Sequence, residues 1–262
     1  DNLMFNAKKN ILWCHADPSH APLILSEIMK KKERPMQTQP AVKQWMINKD
    51  EYILYWNEVN DALMASYKSL NYLFEHKLIN PFTVQKTGLG YDFEDNKWVF
   101  ACRDMNETIR GFRYRGGDLT NKTIWSEKDT GSFISLIYGN NKNENLYICE
   151  GEWDALSMVQ MLDKADKLKN STVVTPTMGV GNLEKCITDL NFGNFKNIYL
   201  NLDNDIEKSK IVKNGQSQDV SLRMTKKLIE KYPFMIDKTP QFTDEQLSQG
   251  NKDISDWMKL NY

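Results

Sequence analysis

The stretch LYICEGEWD, residues 146–154, decides how this sequence is expected to fold. Its first four residues are apolar and predict a buried strand, and residues 152–162 then have the spacing of a helix. Further strands are predicted at 172–175, 198–202 and 234–236, and further helices at 183–190 and 217–232. Strands that alternate with helices in this way favour a parallel, doubly wound sheet.

The chain before this β/α part has a different pattern. Residues 21–32 predict a short amphipathic helix, and the two prolines of 33–40 indicate a linker. The aromatic and aliphatic residues of 41–78 have helical spacing, and short strands are predicted at 88–91, 97–102 and 109–115. We therefore expect an α/β protein with an N-terminal segment at 1–40, a basic α+β subdomain at 41–142 and a parallel-sheet domain at 143–262.

Composition limits the class of protein. The 262 residues are 40% hydrophobic and 26% charged, which is ordinary for a globular chain, and the net charge of −1 neither favours nor excludes a nucleic-acid partner. The four cysteines are isolated, so no zinc site is expected. No apolar run approaches the roughly 20 residues of a membrane span. Because the chain begins with Asp1, we expect it to be a piece of a longer protein.

Acidic residues follow the predicted strands. Glu150 comes after the first strand of the β/α part, Asp203 and Asp205 come after the third, and Asp253 lies near the end of the chain. The carboxyl ends of parallel strands share one edge of the sheet, so Glu150, Asp203 and Asp205 should converge there. Clustered carboxylates repel one another unless a cation is bound, and oxygen ligands suit Mg²⁺ or Mn²⁺. The alternative for each residue alone is a helix cap or a surface acid.

The order of these motifs resembles that of a known family. Glu-Gly-x-x-Asp at 150–154, Asp-x-Asp at 203–205 and Lys-Asp at 252–253 are similar to the TOPRIM motifs of DnaG-type primases, topoisomerases, OLD nucleases and RecR. The resemblance implies that Glu150, Asp203 and Asp205 are catalytic and bind metal, and that Asp253 also belongs to the metal-binding set. The supporting residues that it implies are Gly151, Asp154 and Asp256. The sequence departs from the primase pattern at 206–214, a basic insert that is either a mobile loop over the site or a surface insertion.

The segment before the acids resembles primases in particular. LFEHKLINPFTVQKTGLGY at 73–91, Arg103-Asp104 and the strand 109–115 are similar to primase motifs, and the resemblance covers about residues 70–256. The Glu-Gly-Glu form at 150–152 looks closest to phage and Twinkle-like primase-helicases. The basic residues expected to contact phosphates of a template or nucleotide are Arg103, Arg113, Arg115 and Lys122. The alternative is a solvated strand face.

The resemblance implies the RNA-polymerase module of a DNA primase. Such a module makes short RNA primers from NTPs on single-stranded DNA, with two Mg²⁺ or Mn²⁺ ions stabilising the attacking and leaving oxygens. A helicase is the expected partner, and no membrane is expected. An intracellular place at the replication fork follows, in an organelle, a phage-infected cell or a bacterial cytoplasm. The rival interpretations are a TOPRIM nuclease or topoisomerase fragment and a non-catalytic nucleic-acid-binding module.

Overall fold

The computed structural model describes residues 3–6, 11–14, 49–120, 124–128, 130–206, 210, 212–213, 216–217 and 219–261. The predicted helix at 21–32 and the linker at 33–40 lie outside these residues. The chain divides into two compact units, Asp1–Val42 and Lys43–Tyr262. In the first unit, strand β1 (Leu3–Asn6) pairs antiparallel with strand β2 (Ile11–Cys14), with Leu3 opposite Cys14.

Three helices open the second unit. The first two confirm the helical spacing predicted within 41–78, and the third begins at Pro81, after that predicted run ends. They are α1 (Lys49–Ala65), α2 (Tyr67–Lys77) and α3 (Pro81–Thr87). Asn80 caps α3, since its side chain accepts a hydrogen bond from the Thr83 amide at 2.8 Å. Gly88 ends α3 with φ 67°, and a Cβ there would lie 2.2 Å from the Trp56 ring. Only glycine therefore fits at this turn.

One mixed sheet forms the centre of the second unit. Its strands are β3 (Gly90–Asp92), β4 (Lys97–Arg103), β5 (Ile109–Gly116), β6 (Ile124–Ser126), β7 (Ile134–Tyr138), β8 (Asn145–Cys149), β9 (Ser171–Pro176), β10 (Asn197–Asn201) and β13 (Met235–Asp237). The order across the sheet is β13-β10-β8-β9-β7-β4-β5-β6, and β3 pairs with β4. A separate pairing joins the short strands β11 (Val212–Lys213) and β12 (Gln216–Ser217).

The sheet has a parallel half and an antiparallel half. Strands β13, β10, β8 and β9 run parallel, as the alternation of strands and helices predicted. The strands from β7 to β6, together with β3, pair antiparallel. The predicted border at 142/143 falls between β7 and β8 of this one sheet, and the subdivision stays a prediction. Strands β6 and β7 were not predicted.

Helices cover both faces of the parallel half. They are α4 (Glu152–Lys164), α5 (Leu183–Cys186), α6 (Val220–Lys231), α7 (Asp244–Ser248) and α8 (Ile254–Asn261). Strand β8 shows why two cores form, because alternate residues of a strand face opposite sides. Leu146 and Ile148 pack with residues of α5 and α6, whereas Cys149 packs with residues of α4 and α8. In the described part of the chain, no helix combines the length and apolar character needed to cross a membrane.

Candidate active site

A cleft of about 370 Å³ opens at the carboxyl ends of β8 and β10. These neighbouring strands are parallel, with Asn201 opposite Cys149, so the residues that follow them meet at one edge. The cleft is lined by most of the residues predicted from the sequence: Glu150, Gly151, Asp154, Asp203, Asp253, Asp256, Arg113 and Arg115. The fold therefore brings the acidic motifs and two of the predicted basic residues into one site.

Ser221 connects two of the predicted metal ligands. Its hydroxyl donates to Glu150 Oε2 at 2.6 Å, and its amide donates to Asp205 Oδ2 at 3.2 Å. The Asp203 amide also donates to Glu150 Oε2, at 3.1 Å. Asp205 is only 2% exposed and is not among the residues that line the cleft. Hydrogen bonds from Ser221, near the start of α6, thus join Glu150 to Asp205, which belongs to the second acidic motif.

Lys252 supplies positive charge to the acidic side of the cleft. Its ammonium forms an ion pair with Asp203 Oδ2 and lies 3.8 Å from Asp253 Oδ2. The segment before α8 is held against the end of β10, because the Asn204 amide donates to the Lys252 carbonyl at 2.6 Å. The Lys252-Asp253 motif is therefore held at the site by a main-chain hydrogen bond as well as by the ion pair of Lys252.

Two further carboxyl groups share this space. Burial raises the pKa of Asp154 well above its usual range, and the nearby charge of Asp253 adds to the rise. Burial also raises the pKa of Asp253, as does the charge of Asp256. The Ser255 hydroxyl donates to Asp154 Oδ1 at 3.2 Å. Such crowding of acids in a cleft is relieved when a cation is bound.

A basic wall faces the acids from strand β5. Arg113 and Arg115 are two residues apart, so they lie on the same face, as the alternation at 109–115 predicted. Both contact Glu152: Arg115 Nη2 donates to Glu152 Oε2 at 2.7 Å, and Arg113 Nη1 pairs with Oε1. Arg113 Nη1 also donates to the Pro176 carbonyl at 3.3 Å. The two arginines are therefore held at the cleft by a buried carboxylate.

Two predicted phosphate contacts are not part of this arrangement. Arg103 donates from Nη2 to the Ile137 carbonyl at 2.7 Å, and its guanidinium lies 5.1 Å from the centre of the Trp56 ring. Burial lowers the pKa of Arg103, and the residue is not among those that line the cleft. Lys122 lies outside the described residues. Within the described part, the structure thus places Arg113 and Arg115 at the cleft and Arg103 away from it.

Several residues of the cleft carried no predicted role. They include Glu152, Lys252, Lys77 and Lys259. Ser221 had no predicted role either, and it contacts the site through its hydrogen bond to Glu150. The Lys77 ammonium lies 5.6 Å from the centre of the Trp153 ring, and burial and the charge of Lys259 lower its pKa. Lys252 could have been predicted, because it is the lysine of the Lys-Asp motif at 252–253. Nothing local marks Lys77, because only the packing of α2 beside α4 brings it to the site.

The donor set fits a hard divalent cation. The acidic residues offer carboxylate oxygens, which suit Mg²⁺ or Mn²⁺. Among the described residues, however, no group of three or more His, Cys, Asp or Glu side chains is already arranged to hold a metal ion. Glu150 Oε2 is engaged by Ser221 and Asp203 Oδ2 by Lys252. A cation that binds these oxygens has to replace or rearrange those contacts.

This mixed α/β sheet with helices is the fold of DnaG-type primase catalytic cores. The primase fragment of the bacteriophage T7 primase-helicase protein superposes with a TM-score of 0.54 over 99% of this chain and 86% of that chain, at 18% identity. A DnaG catalytic core superposes with a TM-score of 0.50 over 81% of this chain and 75% of that chain, at 12% identity. No protein-family model matches the sequence, and no curated protein matches it significantly.

Proposed function

We propose that this chain is the RNA-polymerase module of a DNA primase. One observation carries the proposal: a single cleft combines the carboxylates of Glu150 and Asp203 with the guanidinium groups of Arg113 and Arg115. The fold shared with the T7 primase fragment and the DnaG catalytic core supports it. Phosphoryl transfer to a growing RNA chain needs both kinds of group, because phosphates must be bound while a hydroxyl is activated.

The chain's own residues divide this work. Arg113 and Arg115 bind phosphate oxygens with planar, charge-assisted hydrogen bonds. Glu150, Asp203 and Asp205, with Asp253 in support, would hold Mg²⁺ or Mn²⁺, and two ions would fit the proposed chemistry. When bound, such ions stabilise the attacking and leaving oxygens. The 3′-hydroxyl of one nucleotide would attack the α-phosphorus of the next. The new P–O bond would form as the bond from that phosphorus to the α–β bridging oxygen breaks, pyrophosphate would leave, and the hydroxyl proton would pass to solvent.

The proposed substrates are ribonucleoside triphosphates and single-stranded DNA. The T7 protein of the comparison is a primase-helicase, and we propose by analogy that this module works with a helicase at a replication fork. The basic wall from β5 and the lysines of the cleft are suited to a polyanion, although the whole chain has a net charge of −1.

Primer synthesis by the unmodified chain tests the proposal. The chain is incubated with single-stranded DNA, labelled NTPs and Mg²⁺ or Mn²⁺, and the products are separated by length. Short RNA products that depend on the template and on the metal are expected. Metal-dependent nicking of the DNA without RNA products would instead support the TOPRIM nuclease interpretation. DNA binding with neither activity would support a non-catalytic binding module.

A further inference from the structure

Glu152 differs in its contacts from Glu150 and Asp203, because both of its oxygens contact arginine side chains. Oε2 accepts from Arg115 Nη2 at 2.7 Å, and Oε1 pairs with Arg113 Nη1. The residue is only 2% exposed, and it begins helix α4 directly after Gly151. An acid in the first turn of a helix is also favoured by the helix dipole. The Glu152 carboxylate is therefore fixed by its helix and by two cations.

The three side chains join elements from both halves of the sheet. Arg113 and Arg115 come from β5 in the antiparallel half, whereas α4 follows β8 in the parallel half. The third contact, from Arg113 Nη1 to the Pro176 carbonyl, reaches the end of β9. All three side chains line the cleft that contains Glu150 and Asp203. A change in Glu152 consequently removes a contact of each guanidinium group and alters the net charge of the three side chains.

We propose that Glu152 is a positioning residue that orients Arg113 and Arg115 to bind phosphate oxygens in the cleft. This inference rests on the proposed function. The two guanidinium groups and the one carboxylate carry a net charge of +1, and each guanidinium has N–H groups beyond those that contact Glu152. Without this carboxylate, two adjacent cations repel each other and turn more freely. Phosphate is then attracted more strongly but held in a less productive geometry.

Glu152→Gln therefore has two effects of opposite sign. The substitution keeps the size of the side chain and removes one negative charge beside two guanidinium groups, so affinity for phosphate groups should rise about threefold or more. The kcat for primer synthesis should fall about tenfold, because phosphate position matters most in the transition state. A side chain that only stabilises the fold would give no gain in affinity.

The experiment compares Glu152→Gln with the unmodified chain and with Glu127→Gln. Glu127 is a suitable control because it is a partly buried carboxylate that accepts from Tyr52 Oη at 2.8 Å and is not among the cleft-lining residues. Calorimetry measures the binding of tripolyphosphate and of an oligothymidylate in the presence of a chelator. If Glu152→Gln binds tripolyphosphate more tightly than the unmodified chain does, the two arginines bind the phosphates of the nucleotide. If it binds the oligothymidylate more tightly, they bind the phosphates of the template. Primer synthesis gives kcat and the KM for NTP.

Either of two results would overturn the inference. One is an unchanged kcat for primer synthesis in Glu152→Gln, whatever its affinity for the two anions. The other is a change in the Mg²⁺ concentration needed for thermal stabilisation that Glu127→Gln does not share, since Glu152 would then be a metal ligand. If Glu152→Gln does not fold, Arg115→Lys is tested in its place. Lysine keeps the positive charge but lacks the forked guanidinium group. Affinity for the two anions should therefore stay within about twofold, while kcat falls about tenfold.

The inference and the proposed function fail separately. If the unmodified chain makes no primers, the primase proposal is wrong. Tighter anion binding by Glu152→Gln would still show that Glu152 controls a phosphate site at the two arginines. If primers are made and Glu152→Gln makes them at the normal rate, the positioning role is wrong and the primase proposal stands.

Discussion

Ser221 shows how a single residue sets the geometry of the acidic side. It hydrogen-bonds through its hydroxyl to Glu150, which follows β8, and through its amide to Asp205, which follows β10. Ser221→Ala removes the hydroxyl and its hydrogen bond to Glu150 Oε2, so the Glu150 carboxylate is held less firmly. We expect primer synthesis to fall about tenfold, with a loss of about 1 kcal/mol in the free energy of unfolding.

Steady-state kinetics and denaturant unfolding measure these two effects of Ser221→Ala. Ser248→Ala is a matched control, since the Ser248 hydroxyl donates to the Glu245 carbonyl at 2.7 Å on an exposed surface. Normal kinetics in Ser221→Ala would mean that Glu150 does not need this hydrogen bond.

Asp154 gives the site a pH signature. Burial and the charge of Asp253 raise its pKa in the folded protein, so its contribution to stability is fully present below the unfolded pKa of about 4 and is lost as pH rises through the folded pKa. With a chelator at pH 7, Asp154→Asn should therefore unfold at a temperature at least about 3 °C higher than the unmodified chain.

Thermal unfolding between pH 4 and pH 8 checks this expectation. The difference between Asp154→Asn and the unmodified chain should shrink as the pH falls toward 4. The asparagine still accepts the hydrogen bond from Ser255, so little else changes. Equal stability at pH 7 would show that the carboxylate is not strained by its neighbours.

Glu150 and Asp203 were predictable because each comes shortly after a strand. Glu150, Asp203 and Asp253 are marked by sequence motifs, and the edge at which parallel strands end brings the first two together. The roles of Glu152 and Ser221 were not predictable. The role of Glu152 depends on the distance between α4 and β5, and the role of Ser221 depends on where α6 begins after the insert at 206–214. The spacing of residues in the sequence predicts neither of these features.

At the level of elements, Gln160 of α4 holds the connection between α2 and α3. Its side-chain oxygen accepts from the Asn80 amide at 2.8 Å, and its nitrogen donates to the Leu78 carbonyl at 2.7 Å. Gln160 is 4% exposed, so Gln160→Leu leaves these main-chain groups without their partner in a buried place. We expect a loss of about 2–4 kcal/mol in the free energy of unfolding.

Denaturant unfolding of Gln160→Leu measures this loss. The control is Gln85→Leu, because Gln85 is exposed on α3 and its replacement should change stability by less than about 0.5 kcal/mol. Equal stabilities of the two variants would contradict the role given to Gln160. Because α2 carries Lys77 at its last turn, Gln160 also supports the place of this lysine in the cleft.

Element types were easier to predict than pairing. The β/α alternation gave the parallel half, but β7 is a run of buried residues without alternation, and it was not predicted as a strand. The pairing of Arg103 with Leu136 joins β7 to β4, and a pairing between residues so far apart in the sequence leaves no local signal. Helix α7 had a local signal, the capping box of Thr243 and Gln246, that was missed.

For the whole molecule, the arrangement of charge matters more than its sum. The net charge is −1, yet the cleft contains carboxylates from three motifs beside arginines and lysines. A divalent cation that binds only the folded chain stabilises it by about 2.7 kcal/mol at 100 times its Kd. For a chain of this size, a rise of about 5–10 °C in Tm is expected with saturating Mg²⁺ or Mn²⁺.

Asp203→Asn should lose most of this metal-dependent rise. Asp237→Asn is the matched control: Asp237 also ends a parallel strand, but its carboxylate accepts from the Thr239 amide at 2.8 Å and is not among the cleft-lining residues. Thermal unfolding with and without metal measures the effect. An equal rise in Asp203→Asn and Asp237→Asn would place the cation elsewhere.

Template-directed primer synthesis by site variants tests the central claim most directly. The unmodified chain, Glu150→Gln, Asp203→Asn and Asp237→Asn are compared on one single-stranded template with labelled NTPs and Mg²⁺ or Mn²⁺. Short RNA products from the unmodified chain and Asp237→Asn are expected, with a loss of at least about 100-fold in Glu150→Gln and Asp203→Asn. Primers made at the normal rate by either of these two variants would contradict the claim that this cleft is the polymerase site.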